Sequence, residues 1–350
     1  MWLTSSSVGR KFVMAITAAA LVLFVTFHCL MNSVAILWPT AYNAVCEFLG
    51  ANWYALIASA GLALLVFIHI VYAFWLTMQN RAARGSVRYS IEARPKSVEW
   101  ASKNMLVLGI VVFCFLIVHL INFWAKMQLV EVMGWHGTLP PAAGTLFLQE
   151  AFSCWWVPVI YAIGFIALWF HLNHGFWSMF QSIGWDNTRW IPRLKCIGKI
   201  WVAVVMVLFF IQLGVFTWRS STGYYKTNPE LREQYKEMIV AHVTPQLGDF
   251  SAMFEQQYAN ANYEQLSAGV RQMYEGVSSQ LKSFETPEGK EQLKMILAND
   301  PTAQDQLNAM KNDVLPALAG AVETLDFLEE GDPKPEPMPG VPAGAQPVNR

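Results

Sequence analysis

Five long runs without a charged residue dominate the first 218 residues of this 350-residue chain. About 20 apolar residues of α-helix cross the hydrocarbon layer of a bilayer, and each run supplies roughly that length. A spanning segment must also satisfy its own backbone hydrogen bonds, which favours helices. The sequence therefore predicts an all-α, polytopic membrane protein. Its bundle of five transmembrane helices is expected at about 12–37, 53–78, 104–126, 152–181 and 199–218.

The charges between these runs predict an orientation. Arg10 and Lys11 precede the first run, residues 81–103 hold six Lys or Arg against two Glu, and residues 186–199 hold four against one Asp. The alternate loops hold only Lys126. Because positive loops remain in the cytoplasm, we expect the N-terminus inside and the C-terminus outside. The first run is too long for a signal sequence and is expected to be a retained helix.

The C-terminal third has a different composition. Residues 219–350 carry 11 basic and 19 acidic side chains, whereas residues 1–218 carry 13 and 6. Two amphipathic stripes predict helices, with Pro316 bending or restarting the second. The stripes are Leu266, Val270, Met273, Val277, Leu281 and Phe284, then Leu307, Met310, Val314, Leu318, Val322 and Leu325. We expect a transmembrane domain (1–219), a helical extension on the outer side (220–330) and a disordered, proline-rich tail (331–350).

Four histidines in the apolar runs fall at matched depths. At 1.5 Å per residue, His28 and His119 lie about 24 and 22 Å from the inner ends of their helices. His69 and His171 each lie about 14 Å from the inner end. The four thus form an outer pair and an inner pair. A histidine inside a membrane needs a partner, which is either a ligand or a backbone carbonyl or hydroxyl group.

Two histidine pairs on four helices are the arrangement that two stacked haems require, with two imidazoles on each iron. Cys-x-x-Cys-His is absent, so the haems are expected to be of the b type. No Cys-x-x-Cys occurs either, which argues against iron–sulfur and zinc sites. His174 lies three residues beyond His171 and is expected to contact a haem propionate or to support the ligand. A metal site shared by His171 and His174 is the alternative.

Residues 1–218 resemble the cytochrome b subunit of succinate dehydrogenase and fumarate reductase, of the five-helix, two-haem type. The resemblance rests on the opening Ser-Ser-Ser-Val-Gly-Arg-Lys at 5–11, on the histidines of the first four helices, and on His-x-x-x-Gly-Phe-Trp-Ser at 171–178. In this family the ligand stands four residues before the glycine, which implies His171 rather than His174. The family also pairs the first helix with the third and the second with the fourth.

The resemblance implies a membrane anchor in the inner (cytoplasmic) membrane of a bacterium. His28 and His119 would ligate an outer haem b, and His69 and His171 an inner one. Electrons would pass between an iron–sulfur subunit and menaquinone or another quinone near the outer haem. A flavoprotein subunit would interconvert succinate and fumarate. Both partner subunits would dock on the basic cytoplasmic segments.

Glu47 is the candidate acid/base for quinol chemistry, since the family places a glutamate in this region in some members. The alternative is an interfacial carboxylate that faces water. Some members also carry a glutamate two residues before the fourth ligand, where this chain has Trp169, so a proton route through that position is not expected here.

Two other functions remain open at this stage. A dihaem cytochrome b could serve a hydrogenase or formate dehydrogenase. A haem-free transporter could line a cavity with its histidines. Reducible b-type haem bands separate the transporter from the cytochromes.

Overall fold

The computed structural model describes residues 6–50, 52–84, 100–133, 139–300 and 302–330. Within these ranges every regular element is a helix and there is no strand. The predicted tail (331–350) and most of the basic loop 81–103 lie outside the described residues. The all-α fold class is therefore confirmed for the part of the chain that is described.

Five helices are long and apolar enough to cross a membrane, as predicted. They are α1 (Ser7–Leu37), α3 (Trp53–Arg84), the helix that starts as α5 (Met105–His119), α8 (Trp156–Ser182) and α9 (Trp190–Ser221). Many large apolar side chains on these helices are exposed, which suits surfaces that face lipid rather than water. The chain has the architecture of a multi-pass membrane protein.

Three short helices that the sequence analysis did not predict stand between the spans. They are α2 (Pro39–Gly50), α4 (Trp100–Lys103) and α7 (Gly144–Ser153). Proline explains two of the breaks. The residue before a proline avoids the helical region, and Trp38, before Pro39, is extended with φ −141° and ψ 85°. Pro158 lies in the first turn of α8, where a proline is tolerated, so the fourth span begins at Trp156 and not near residue 152.

A π-helical segment interrupts the third span directly after His119. It covers Leu120–Leu129 and continues into α6 (Val130–Met133). A π turn closes its hydrogen bonds one residue later than an α turn and often marks a functional site. The side chains beyond His119 are consequently rotated relative to those before it.

The transmembrane core forms around α8, which packs against α1, α5 and α9. The second span, α3, lies at the edge and packs mainly against α1; none of its most apolar stretch is buried. Arg219, near the end of α9, donates to the carbonyl oxygens of Ala35 and Ile36 at 2.8 and 2.9 Å. These bonds satisfy carbonyl groups in the last turn of α1, which have no partner within the helix.

The C-terminal region is a set of helices that begins after Gly223. Gly223 has a positive φ of 68°, so the chain turns away from the axis of the fifth span at this residue. The helices are α10 (Tyr224–Thr227), α11 (Pro229–Val243), α12 (Ser251–Tyr258), α13 (Tyr263–Ser283), α14 (Pro287–Asn299), α15 (Ala303–Ala309) and α16 (Leu315–Glu329). The first predicted stripe lies on α13. The second continues from α15 through a π segment (Met310–Val314) into α16, which restarts with Pro316 in its first turn.

A buried polar network joins this region to the membrane part. Asn43 of α2 is completely buried and accepts hydrogen bonds from the backbone N–H and hydroxyl of Thr145, at 2.9 and 2.8 Å. Its amide donates to Gln234 Oε1 of α11 at 2.9 Å. The Thr145 oxygen also lies 2.7 Å from the hydroxyl of Tyr235. Helices α2, α7 and α11 are thus held together by groups that would otherwise be buried without partners.

Candidate functional site

The structure brings the two histidines of the outer pair together. The ring centroids of His28 on α1 and His119 on α5 are 5.7 Å apart, and the ring planes are nearly perpendicular at 88°. Both imidazoles are half-buried between the helices. Phe24 stacks on His28 at 5.4 Å, and Phe123 lies against His119 at 5.4 Å. Two imidazoles on separate spans therefore face each other inside an apolar, aromatic environment.

Tyr161 of α8 orients the ring of His119. Its hydroxyl lies 3.2 Å from His119 Nδ1, and its ring is almost fully buried. Phe115 packs edge-on against Tyr161 at 5.0 Å. A Cβ at Gly164 would lie 2.4 Å from the Phe115 ring, so a side chain larger than hydrogen at this point of α8 would displace the ring. With Nδ1 engaged by the tyrosine, Nε2 of His119 is the nitrogen that remains for a ligand.

The two histidines of the inner pair also lie on separate spans. The imidazoles of His69 on α3 and His171 on α8 are close enough to interact electrostatically. The Thr17 hydroxyl of α1 lies 3.2 Å from His69 Nδ1. The same hydroxyl oxygen lies 3.0 Å from the carbonyl of Val13 and donates to it. Because a hydroxyl has one proton, Thr17 accepts from His69, which places the imidazole proton on Nδ1 and leaves Nε2 as the basic nitrogen.

His171 has a buried nitrogen with no hydrogen-bond partner, its Nδ1. A buried polar atom of this kind calls for an explanation, such as a bound group that is not part of the protein. On the facing α5, a Cβ built on Gly109 would lie 3.7 Å from His171 Cε1. The glycine leaves open the space beside the imidazole that a larger side chain would occupy.

His174 is placed differently from His171. Its ring packs edge-on against Trp177, with the centroids 5.1 Å apart. It also interacts electrostatically with His171. His174 is therefore a neighbour of His171 on the same helix, one turn nearer the end of α8.

Glu47 lines a cavity of about 720 Å³ at the end of the bundle where α2 lies. The wall also contains Glu131 of α6, His242 of α11 and Asp313. The Glu47 side chain is exposed, so it faces both the cavity and its opening. A carboxylate in this position is accessible to water and to a ligand in the cavity, and the two predicted roles of Glu47 both remain compatible with its surroundings.

Trp169 lies on the face of α8 that points away from the histidine pairs. It lines a cleft between α8 and α9 together with Trp177 and Lys195. Residues two apart on a helix point about 200° apart, which separates Trp169 from His171. Trp169, through which no proton route was expected, therefore lies in a lateral cleft.

The donor set fits haem better than a bare metal ion. Within the described ranges, no group of three or more His, Cys, Asp or Glu side chains could hold an ion. A haem iron takes its equatorial ligands from the porphyrin and needs only axial ligands from the protein, which two imidazoles supply. The two pairs, the hydroxyl partners of His69 and His119, and the unsatisfied nitrogen of His171 all fit such a group.

The sequence analysis missed Thr17 and Tyr161. The sequence shows only that Thr17 and Tyr161 are hydroxyl residues within apolar runs. Several other hydroxyl residues lie in such runs, so this feature does not single them out. No protein-family model matches the chain, and no curated protein or solved structure has significant similarity to it.

Proposed function

We propose that the chain is the membrane-anchor, dihaem cytochrome b subunit of a succinate dehydrogenase or fumarate reductase complex. The single observation that carries the proposal is that His28 and His119, on two different spans, face each other with ring centroids 5.7 Å apart. His69 and His171, on two further spans, interact electrostatically. If each membrane histidine only donated a hydrogen bond to a backbone carbonyl, pairing between histidines of different spans would not be expected. In this proposal His28 with His119, and His69 with His171, would each hold one haem b, and the bound haems would supply single-electron redox chemistry in the apolar part of the bundle.

The protein contributes ligand orientation and basicity. The hydroxyl of Thr17 accepts the Nδ1–H of His69, which leaves a basic Nε2. The hydroxyl of Tyr161 lies 3.2 Å from His119 Nδ1 and would accept the Nδ1–H when Nε2 of His119 binds iron. A hydrogen bond of this kind makes an imidazole a stronger donor to iron and stabilises the oxidised state. Phe24 and Phe123 pack against His28 and His119 and give these imidazoles an apolar environment.

The quinone site is proposed at the Glu47 cavity. Reduction or oxidation of a quinone moves two electrons and two protons, so the site needs a group that exchanges protons with water. Glu47 is exposed and lines the cavity with Glu131 and His242, which meets this need. The cavity volume of about 720 Å³ lies in the range of ordinary small-molecule sites. Menaquinone is the quinone that the family resemblance favours.

The partners are proposed on the basic side of the membrane. A flavoprotein subunit would interconvert succinate and fumarate, and an iron–sulfur subunit would exchange electrons with the inner pair, His69 and His171. In the bacterial inner membrane this side is the cytoplasm, and the helical extension 220–330 would lie on the outer side.

Optical spectroscopy of the purified full-length chain tests the proposal. We expect reducible b-type bands with two haems per chain. His171→Ala should remove one haem, and His174→Ala should keep both. A wild-type chain without b-type bands would refute the cytochrome reading. Loss of a haem from His174→Ala, with His171→Ala unaffected, would show that the ligand has been assigned to the wrong histidine.

A further inference from the structure

A lateral cleft between the fourth and fifth spans has two lysines and no role in the proposed electron path. It has a volume of about 480 Å³ and is lined by Trp169, Asn173, Trp177, Lys195, Lys199 and Ala203. The three α8 residues are spaced by four, as are the three α9 residues, so each set forms one face of its helix. The cleft therefore runs lengthwise along the two helices on the outside of the bundle.

The polarity of the cleft changes along its length. Lys195 Nζ lies 4.0 Å from the centroid of the Trp177 ring, which fixes these two residues at one level. Since α8 and α9 are antiparallel, Lys199 and Asn173 follow about 6 Å deeper, and Ala203 and Trp169 about 6 Å deeper again. The end near the loop is thus cationic, and the end toward the middle of the membrane is apolar. This gradient matches a phospholipid, whose charged headgroup and acyl chains lie in the same order.

The charge of the cleft calls for an anion. Lys195 and Lys199 are four residues apart on one helix face, where like charges repel. In the described ranges no acidic side chain forms an ion pair with Lys199. Asp186 is the only acidic residue between 151 and 218, and it accepts from Gln181 at 3.2 Å in the loop. Lys199 is exposed and, within the described residues, is not neutralised by an ion pair.

We propose that this cleft binds an anionic phospholipid from the leaflet at the basic end of the bundle. The headgroup phosphate would lie between the ammonium groups of Lys195 and Lys199, and Asn173 would donate a hydrogen bond to the headgroup. An acyl chain would follow the groove past Ala203, against the indole of Trp169. Trp177 holds the Lys195 side chain over its ring, which reduces the conformational freedom that the lysine loses when the lipid binds.

Native mass spectrometry of the full-length chain in neutral detergent tests the site, with dioleoyl phosphatidylglycerol as the probe and dioleoyl phosphatidylcholine as the neutral comparison. A lysine near an anionic lipid surface contributes about 1 kcal/mol, so Lys195→Gln with Lys199→Gln should weaken phosphatidylglycerol binding roughly thirty-fold. Binding of phosphatidylcholine should hardly change. The matched control is Lys290→Gln with Lys294→Gln, a second exposed lysine pair four residues apart, in α14.

Four results would overturn the proposal. The first is equal affinity of the wild-type chain for the two lipids. The second is an equal loss of phosphatidylglycerol binding in the double variant and in the control variant. The third is displacement of the lipid by millimolar glycerol phosphate, which would mean that the lysines bind a soluble anion. If the lysines instead dock an acidic partner protein, the double variant will bind phosphatidylglycerol like the wild type, which also contradicts the proposal. Haem content is a separate readout, so failure here leaves the cytochrome proposal untouched.

Discussion

Replacement of Asn43 by alanine tests whether the C-terminal helices are a fixed part of the molecule. Asn43 is completely buried and bonds to two groups of Thr145 and to Gln234. In the variant the backbone N–H of Thr145, itself fully buried, loses its acceptor. A buried unsatisfied group costs about 1–3 kcal/mol. The half-buried Gln234 oxygen adds a smaller loss, so we expect a destabilisation of about 3 kcal/mol.

The assay is thermal unfolding of the full-length protein in detergent, combined with limited proteolysis. A cost of about 3 kcal/mol corresponds to a melting temperature lowered by roughly 5 °C in a protein of this size. Cleavage near Gly223 should accelerate, because the network fixes α11 to α2 and α7. Asn308→Ala is the matched control, since Asn308 is exposed and its side chain only accepts from Gln304. If Asn43→Ala and Asn308→Ala melt within about 1 °C of each other and are cleaved equally fast, the reasoning is wrong.

Two further predictions concern the proposed haem ligands and a buried thiol. Thr17→Val removes the acceptor of His69 Nδ1–H, and the loss of about 1 kcal/mol should raise the midpoint potential of the inner haem by about 40 mV. Tyr161→Phe should raise the midpoint potential of the outer haem through His119. Redox titration of the b-type bands measures both potentials, and in each variant the other haem is the internal control. Equal shifts of the two haems in either variant would contradict the assignment. Burial raises the pKa of Cys46 to about 12, so the thiolate is scarce at neutral pH. Mass spectrometry measures the rate at which iodoacetamide alkylates Cys46. At pH 8 this rate should be roughly a thousandfold lower in the folded protein than in the denatured chain, and it should rise about tenfold per pH unit up to pH 10. Equal rates in the folded and denatured protein would exclude a raised pKa.

The spans and the histidine pairs were predictable because they depend on one-dimensional quantities. Freedom from charge over about 20 residues identifies a span, and the rise of 1.5 Å per residue converts sequence position into depth. The contact between His28 and His119 follows from equal depth, provided that their helices are neighbours. No such one-dimensional quantity tells how a helix is rotated about its own axis, and the partners Thr17 and Tyr161 depend on that rotation.

The interruptions of the helices were harder to predict, although some had signals. Pro39 marks the place where α1 ends, because proline restricts the residue before it, and Pro158 marks the first turn of α8, where a proline is tolerated. The π segment Leu120–Leu129 has no comparable signal.

Helix α2 connects the transmembrane domain and the C-terminal helices, which the sequence predicts as separate domains. Asn43 and Glu47 are four residues apart on it, so they lie on adjacent turns of one face. Asn43 is fixed by Thr145 and Gln234, and this restrains the direction in which Glu47 projects into its cavity. The cavity wall includes His242 from α11, the same helix that supplies Gln234. A change that loosens the C-terminal helices must therefore also alter the surroundings of Glu47, and the extension is part of the candidate quinone site rather than an addition to it.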